Sequence, residues 1–134
     1  MRKELDFVAD FGRDSGKTFR ITEMAAAKAE KWCLRAFFVL LNAGVDVPDD
    51  LSAQGFAGLV SLGISAFTRV PFEAAEPLWD DLMTCIKFVP TPNQPNLTRP
   101  LIDEDIEEVQ TLLKLRKAVY DLHTEFLKTG SPST

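Results

Sequence analysis

Residues 22–44 (TEMAAAKAEKWCLRAFFVLLNAG) constrain the fold more than any other stretch. Thr22 can cap a helix by accepting a backbone N–H, and Glu23 complements the positive end of the helix dipole. Alanines 25–27 lose least on entering a helix, and Gly44 can take the left-handed conformation that closes one. The first half is amphipathic, with Lys28, Glu30 and Lys31 among alanines. The second half, 32–41, is apolar except for Arg35. A helix apolar on every side is expected to be buried on every side, and this run is shorter than the roughly 20 residues a membrane span needs. It therefore predicts the central helix, 23–44, of a helical domain.

The rest of the chain is expected to pack around it. In 5–11, Leu5, Phe7, Ala9 and Phe11 alternate with other residues at strand period, and Phe19 and Ile21 alternate with Arg20 and Thr22. The polar GRDSGKT (12–18) lies between them, so 5–22 predicts a β-hairpin that must lean on helices, because a lone hairpin is marginal. Pro48 stops the central helix, and Asp49 or Asp50 can cap a second helix over 51–67 despite Gly55, Gly58 and Gly63. Apolar residues at spacings of three and four place another helix over 72–87, with Pro77 inside it, and CIKFV (85–89) can leave as a short strand. The proline-rich 90–100 predicts an exposed loop or the tip of an extended arm. Asp103 is expected to cap a last helix over 103–127, and 129–134 to fray. The predicted class is thus mainly α: one domain over 1–128, with about four helices, a small N-terminal hairpin and a second short β element near the proline-rich loop.

The chain has 134 residues, enough to bury a core without metal or disulfides. Its net charge of −5 disfavours a general nucleic-acid binder, because neutralising phosphates needs a basic surface. Cys33 and Cys85 sit in apolar helical stretches and are expected as free core thiols rather than a disulfide. With neither a signal-peptide run nor a membrane span in view, a cytoplasmic protein is expected.

GRDSGKT is the one stretch that looks like chemistry. It resembles a phosphate-binding P-loop, but that motif has four residues between its glycines and leads into a helix. Here there are three, and FRIT reads as strand, so a hairpin turn with positive-φ glycines is the preferred reading and nucleotide binding the lesser one. His123 is the only histidine and has no accompanying ligand pattern, so no metal, cofactor or catalytic residue is assigned.

Several runs together resemble the tail assembly chaperones of long-tailed bacteriophages: GKTFRITEM (16–24), AEKW (29–32), RAF (35–37), EPLWD (76–80), RPL (99–101), DEDI (103–106) and LHTEF (122–126). Ala25-Ala26 departs from the pattern, where a proline is expected after the methionine. The resemblance implies a non-enzymatic protein of the host bacterial cytoplasm. It would bind the tape measure protein, help recruit tail tube subunits and be absent from the finished virion. It also implies a longer frameshifted form, of which this chain would be the shorter partner. A client-binding face is expected from Phe56 and Leu59 or from Leu112, Leu115, Val119 and Leu122, although core packing would use the same residues. Ten phenylalanines suit a homo-oligomer or a large core equally. The competing reading is a structural or adaptor morphogenesis protein retained in the particle.

Overall fold

The structure is a computed structural model and describes residues 2–47 and 70–128. The expected helix over 51–67, with Phe56 and Leu59, lies outside the described residues. The elements in chain order are β1 (Glu4–Val8), β2 (Thr18–Thr22), α1 (Ala26–Asn42), α2 (Phe72–Met83), β3 (Ile86–Val89), β4 (Arg99–Pro100) and α3 (Val109–Lys128). Short 3-10 turns occupy Gly12–Asp14 and Asp103–Asp105. Contacts divide the chain into two compact units, residues 1–23 with 82–122 and residues 24–81 with 123–134.

The mainly α, four-helix expectation is corrected. Among the described residues there are three α-helices and a four-stranded antiparallel sheet. The sheet belongs to the first unit and runs β1-β2-β3-β4. β1 pairs with β2 from Glu4↔Thr22 to Val8↔Thr18, and β2 pairs with β3 from Thr18↔Val89 to Ile21↔Ile86. The four-residue β3 turns the hairpin into a sheet. β4 adds two residues at the edge, where Pro100 is tolerated because an edge residue can do without an N–H donor.

Alternation on β2 sets the sheet's inner face. Phe19 and Ile21 are fully buried, while Thr18, Arg20 and Thr22 are half-buried. Phe19 packs against Phe88, its partner on β3, with ring centroids 5.4 Å apart and tilted by 58°. Arg20 faces Asp6 across the β1–β2 pair and forms an ion pair with it. Its Nη2 also donates to the Pro95 carbonyl at 2.8 Å, which ties the proline-rich loop to the sheet. Leu82, Ile86, Val89, Leu115, Val119 and Leu122 are the other large apolar side chains buried in this unit.

In the second unit, α1 starts later than expected. Thr22 is the last residue of β2, and its hydroxyl donates to Glu4 Oε2 rather than capping a helix. The N-cap is Ala25, with no side-chain cap. The other end matches its chemistry. Gly44 has φ +86°, Val45 N donates to Leu40 O, and Gly44 N donates to Leu41 O, the pair of bonds of a Schellman close. The helix is not buried on every side. Trp32, Cys33, Ala36, Phe37 and Leu40 form one buried stripe, but Leu34, Phe38 and Leu41 are 42%, 61% and 47% exposed. A rod stepping 100° per residue cannot turn every side to one neighbour, whatever its composition. Trp32 Nε1 donates to Leu78 O on α2 at 3.1 Å, and Arg35 pairs with Asp81 at 2.7 Å.

α2 ends at Met83, not at 87, because 86–89 is taken by the sheet. Pro77 lies within it and removes one backbone donor. The last helix is also shorter than expected: 103–105 form a 3-10 turn, Ile106 is extended, and α3 starts at Val109. The reason is tertiary: Asp14 accepts the Glu107 and Glu108 N–H groups and Arg99 holds Asp105. Both cysteines are buried and free, and burial pushes the Cys33 thiol up to about 12, which makes it a poor nucleophile.

Candidate partner-binding groove

The GRDSGKT turn and the acidic 103–108 segment meet in the first unit and hold one another. Gly12 and Gly16 have φ of +54° and +89°, which lets the chain curl into a 3-10 turn and return to β2. The curl puts Asp14 inside. Its side chain is fully buried, yet it accepts N–H bonds from Glu107 at 2.9 Å and Glu108 at 2.9 Å. These amides precede the first turn of α3, so Asp14 does from a distant loop what Asp103 was expected to do locally. Lys17 Nζ lies 3.1 Å from Asp14 Oδ1 and also donates to the Asp105 carbonyl at 3.0 Å.

Outside this buried centre the pairing continues. Arg13 donates through its backbone N and its Nε to Glu108 Oε2, at 2.9 and 3.2 Å, and through Nη2 to the Glu107 carbonyl at 2.8 Å. Arg99 grips Asp105 with two parallel bonds of 2.8 and 2.7 Å and lies 4.7 Å from the centroid of the Phe88 ring. Asp105 also accepts the Ile102 N–H at 2.9 Å. Both carboxylates are held below their usual range, Glu108 chiefly by its bonds to Arg13 and Asp105 chiefly by its bonds to Arg99.

Asp14 carries the largest consequence. Burial pushes its carboxyl up, but the Glu107 amide, the Thr111 hydroxyl, the Glu108 amide and the Lys17 ammonium, in that order, overcome that and bring it from 3.8 to about 2. A folded-state value below the unfolded one means that the bonds stabilise the protein above the unfolded value and cease to do so as pH falls through the folded one. The contribution is on the order of 2 kcal/mol at neutral pH and is lost between roughly pH 4 and pH 2. The check is urea unfolding of the wild type and Asp14→Asn across that range: the gap between them should be full at pH 6 and should close toward pH 2. A constant gap would contradict the assignment.

Gly12 provides a second test. A Cβ there would run into the Glu108 carboxylate, and the residue sits in the left-handed region. Gly12→Ala should therefore cost about 1–2 kcal/mol, measurable by denaturant unfolding. Gly16 has open space around it, so Gly16→Ala should cost only the backbone term, about 1 kcal/mol.

This clamp shapes a groove in the same unit. Met83, Leu101, Ile102, Ile106, Val109 and Leu112 line an open depression of about 350 Å³. Asp103, Glu107 and Glu108 also line it. Val109 and Ile102 are 73% and 55% exposed, which is uncommon for aliphatic side chains in one contiguous apolar surface.

Of the residues expected to form a client-binding face, Leu115 and Val119 are fully buried and Leu122 is 6% exposed, so these three belong to the core. Leu112 is half-buried and lines the groove. The expected face does not include the groove's other members. Their signal in the sequence is the run LIDEDIEEV (101–109), in which aliphatics punctuate carboxylates without helical spacing. GRDSGKT leads into strand β2, and its lysine is held by Asp14 and the Asp105 carbonyl, so the loop works as a clamp on the acidic segment. His123 is buried, and its Nε2 accepts the Met24 N–H at 2.8 Å, a structural bond within the second unit. Among the described residues no three His, Cys, Asp or Glu side chains converge as metal ligands, and no helix is long and apolar enough to cross a membrane.

No family model, curated protein or solved structure matches the chain.

Proposed function

We propose that this protein is a non-enzymatic bacteriophage tail assembly chaperone that binds the tape measure protein and helps recruit tail tube subunits in the host cytoplasm. The observation that supports a binding role is the groove: an exposed aliphatic surface around Ile102, Ile106, Val109 and Leu112, held by a rigid polar clamp. A chaperone of long amphipathic helices must offer apolar surface to cover theirs, the helix-in-groove mode. The resemblance of GKTFRITEM, EPLWD and LHTEF to tail assembly chaperones supplies the biological setting. The acidic net charge suits a carrier that must keep an aggregation-prone client in solution.

The test is co-expression with the tape measure protein encoded nearby in the same genome, with and without the frameshifted longer form. A soluble complex is expected, with the client insoluble when expressed alone. If the client stays insoluble in every combination, the chaperone reading fails. Detection of the chain in purified virions would favour the adaptor reading instead.

A further inference from the structure

We propose that the groove is specific for a basic amphipathic helix, one whose apolar face is flanked by lysine or arginine. The inference rests on the reading of this protein as a binding module and names the chemistry of what is bound. The apolar part follows from the lining. Ile102, Ile106, Val109 and Leu112 present aliphatic side chains and no hydrogen-bonding group, so the occupant must bury aliphatic or aromatic side chains there. Anchors at i, i+3 or i+4, and i+7 of a helix fit an open groove of this kind.

The basic part follows from charge. The groove and its clamp bring together five carboxylates, those of Asp14, Asp103, Asp105, Glu107 and Glu108, with Glu104 next to Asp103 in the chain. Three cations stand against them, Arg13, Lys17 and Arg99. Those cations are engaged with Asp14, Asp105, Glu107 and Glu108. Asp103 and Glu104 are exposed and make no ion pair among the described residues. Asp103 lines the apolar surface and Glu104 follows it in the chain. Carboxylates there attract a cationic flank and repel an acidic one, and like-charge placement costs more than an exposed pair gains. A second copy of this chain would bring its own acidic segment to the same place, so charge disfavours self-association here.

The rigidity of the clamp bears on specificity. Asp14 fixes the amides of Glu107 and Glu108, and Arg99 fixes Asp105, so Ile106 is held by bonds on either side of it and Val109 follows a fixed residue into the first turn of α3. A preformed groove loses little ordering entropy on binding.

The experiment uses the full chain and three synthetic peptides of about 18 residues, roughly five helical turns. All share a Leu/Ala apolar face; one has Lys/Arg flanks, one has Glu flanks, and one is the basic composition with its apolar face scrambled. Binding is read by fluorescence anisotropy at low salt and at about 0.5 M salt, where exposed charges are screened. The basic amphipathic peptide is expected to bind at least about tenfold more tightly than either control, with the preference over the acidic peptide shrinking at high salt. Val109→Asp, at a residue exposed enough to tolerate it, should weaken binding by about tenfold or more. The double variant Asp103→Lys, Glu104→Lys should shift preference toward the acidic peptide. Circular dichroism melts of both variants check that the fold is retained, and Leu113→Asp, exposed on α3 outside the groove lining, serves as the mock.

Equal binding of acidic and basic peptides, no binding of any, or binding untouched by Val109→Asp and the charge reversal would overturn the proposal. So would concentration-dependent self-association in sedimentation that Val109→Asp abolishes, which would make a second copy the occupant. The two readings fail separately. A tape measure complex that survives the groove variants leaves the chaperone role standing and removes the groove. Groove-dependent binding of the basic peptide without any tape measure complex does the reverse.

Discussion

Phe19→Ala is expected to destabilise the protein by about 4 kcal/mol, lowering the melting midpoint by roughly 15 °C. Phe19 is fully buried at the centre of β2 and packs on Phe88 of β3. It is thus the side chain through which the β1–β2 hairpin and the β3 strand share a core. Its truncation removes a large apolar side chain and leaves a cavity that a sheet pinned by hydrogen bonds on both sides cannot collapse. Val8→Ala is the comparison, because Val8 is 59% exposed on the edge strand and should cost no more than about 0.5 kcal/mol. Both are measured by urea unfolding. A Phe19→Ala cost no greater than that of Val8→Ala would mean that the sheet does not have the described pairing.

Asp14→Ala should be nearly as damaging, at about 3 kcal/mol. The side chain is fully buried and serves two backbone amides and one ammonium. Removing it strands the Glu107 and Glu108 donors and leaves Lys17, whose side chain is only 24% exposed, without its shortest carboxylate contact. Breaking a buried charged network from one side costs far more than the network contributes net, because the partners keep their desolvation. Asp14→Asn retains one oxygen acceptor and should cost roughly half as much. A double-mutant cycle with Lys17→Met separates the ammonium from the amides: coupling of about 1 kcal/mol or more is expected between the two sites. Additive losses would mean that Asp14 acts on the amides alone. Hydrogen exchange at the start of α3 gives an independent reading, since the Glu107 and Glu108 amides should lose protection in Asp14→Ala.

Several elements were legible in the sequence for reasons that are local. The alternation of 5–11 and 19–22 is that of two strands, and the structure forms them over Glu4–Val8 and Thr18–Thr22, paired from Glu4↔Thr22 onward. Gly44 closes α1 because only a residue without a Cβ takes φ +86° at little cost. The short run after Cys85 is a strand, but its four residues do not say which strand they join. Pairing with β2 places Phe88 on Phe19, and that choice makes the fold a helix-and-sheet protein.

The candidate groove was harder to see. Asp103, Glu104 and Asp105 look like a helix N-terminus, since acidic residues there complement the dipole. In the structure Asp105 is claimed by Arg99 and Asp14 claims the amides before Val109, so the helix starts six residues later. Ile102 and Ile106 are left at a surface, outside any helix stripe. Leu115, Val119 and Leu122 showed strong helical spacing for the opposite reason: they face the core, and periodicity reports burial whether the buried face meets the protein or a partner.

The sequence by itself thus determined the positions of β1, β2 and the body of α1, the turn at 12–18, and the acidic excess. All of these depend on side-chain spacing, φ preference or charge count over a few neighbouring residues. Only the tertiary structure decided that GRDSGKT is a clamp, that α3 begins at Val109, that the hairpin belongs to a four-stranded sheet, and that an apolar groove opens between Met83 and Leu112. Each of those depends on contacts between residues far apart in the chain, such as Asp14 with Glu107 and Phe19 with Phe88. A buried carboxylate that finds amides across that distance outweighs the few tenths of a kcal/mol by which local propensity favours one helix start over another.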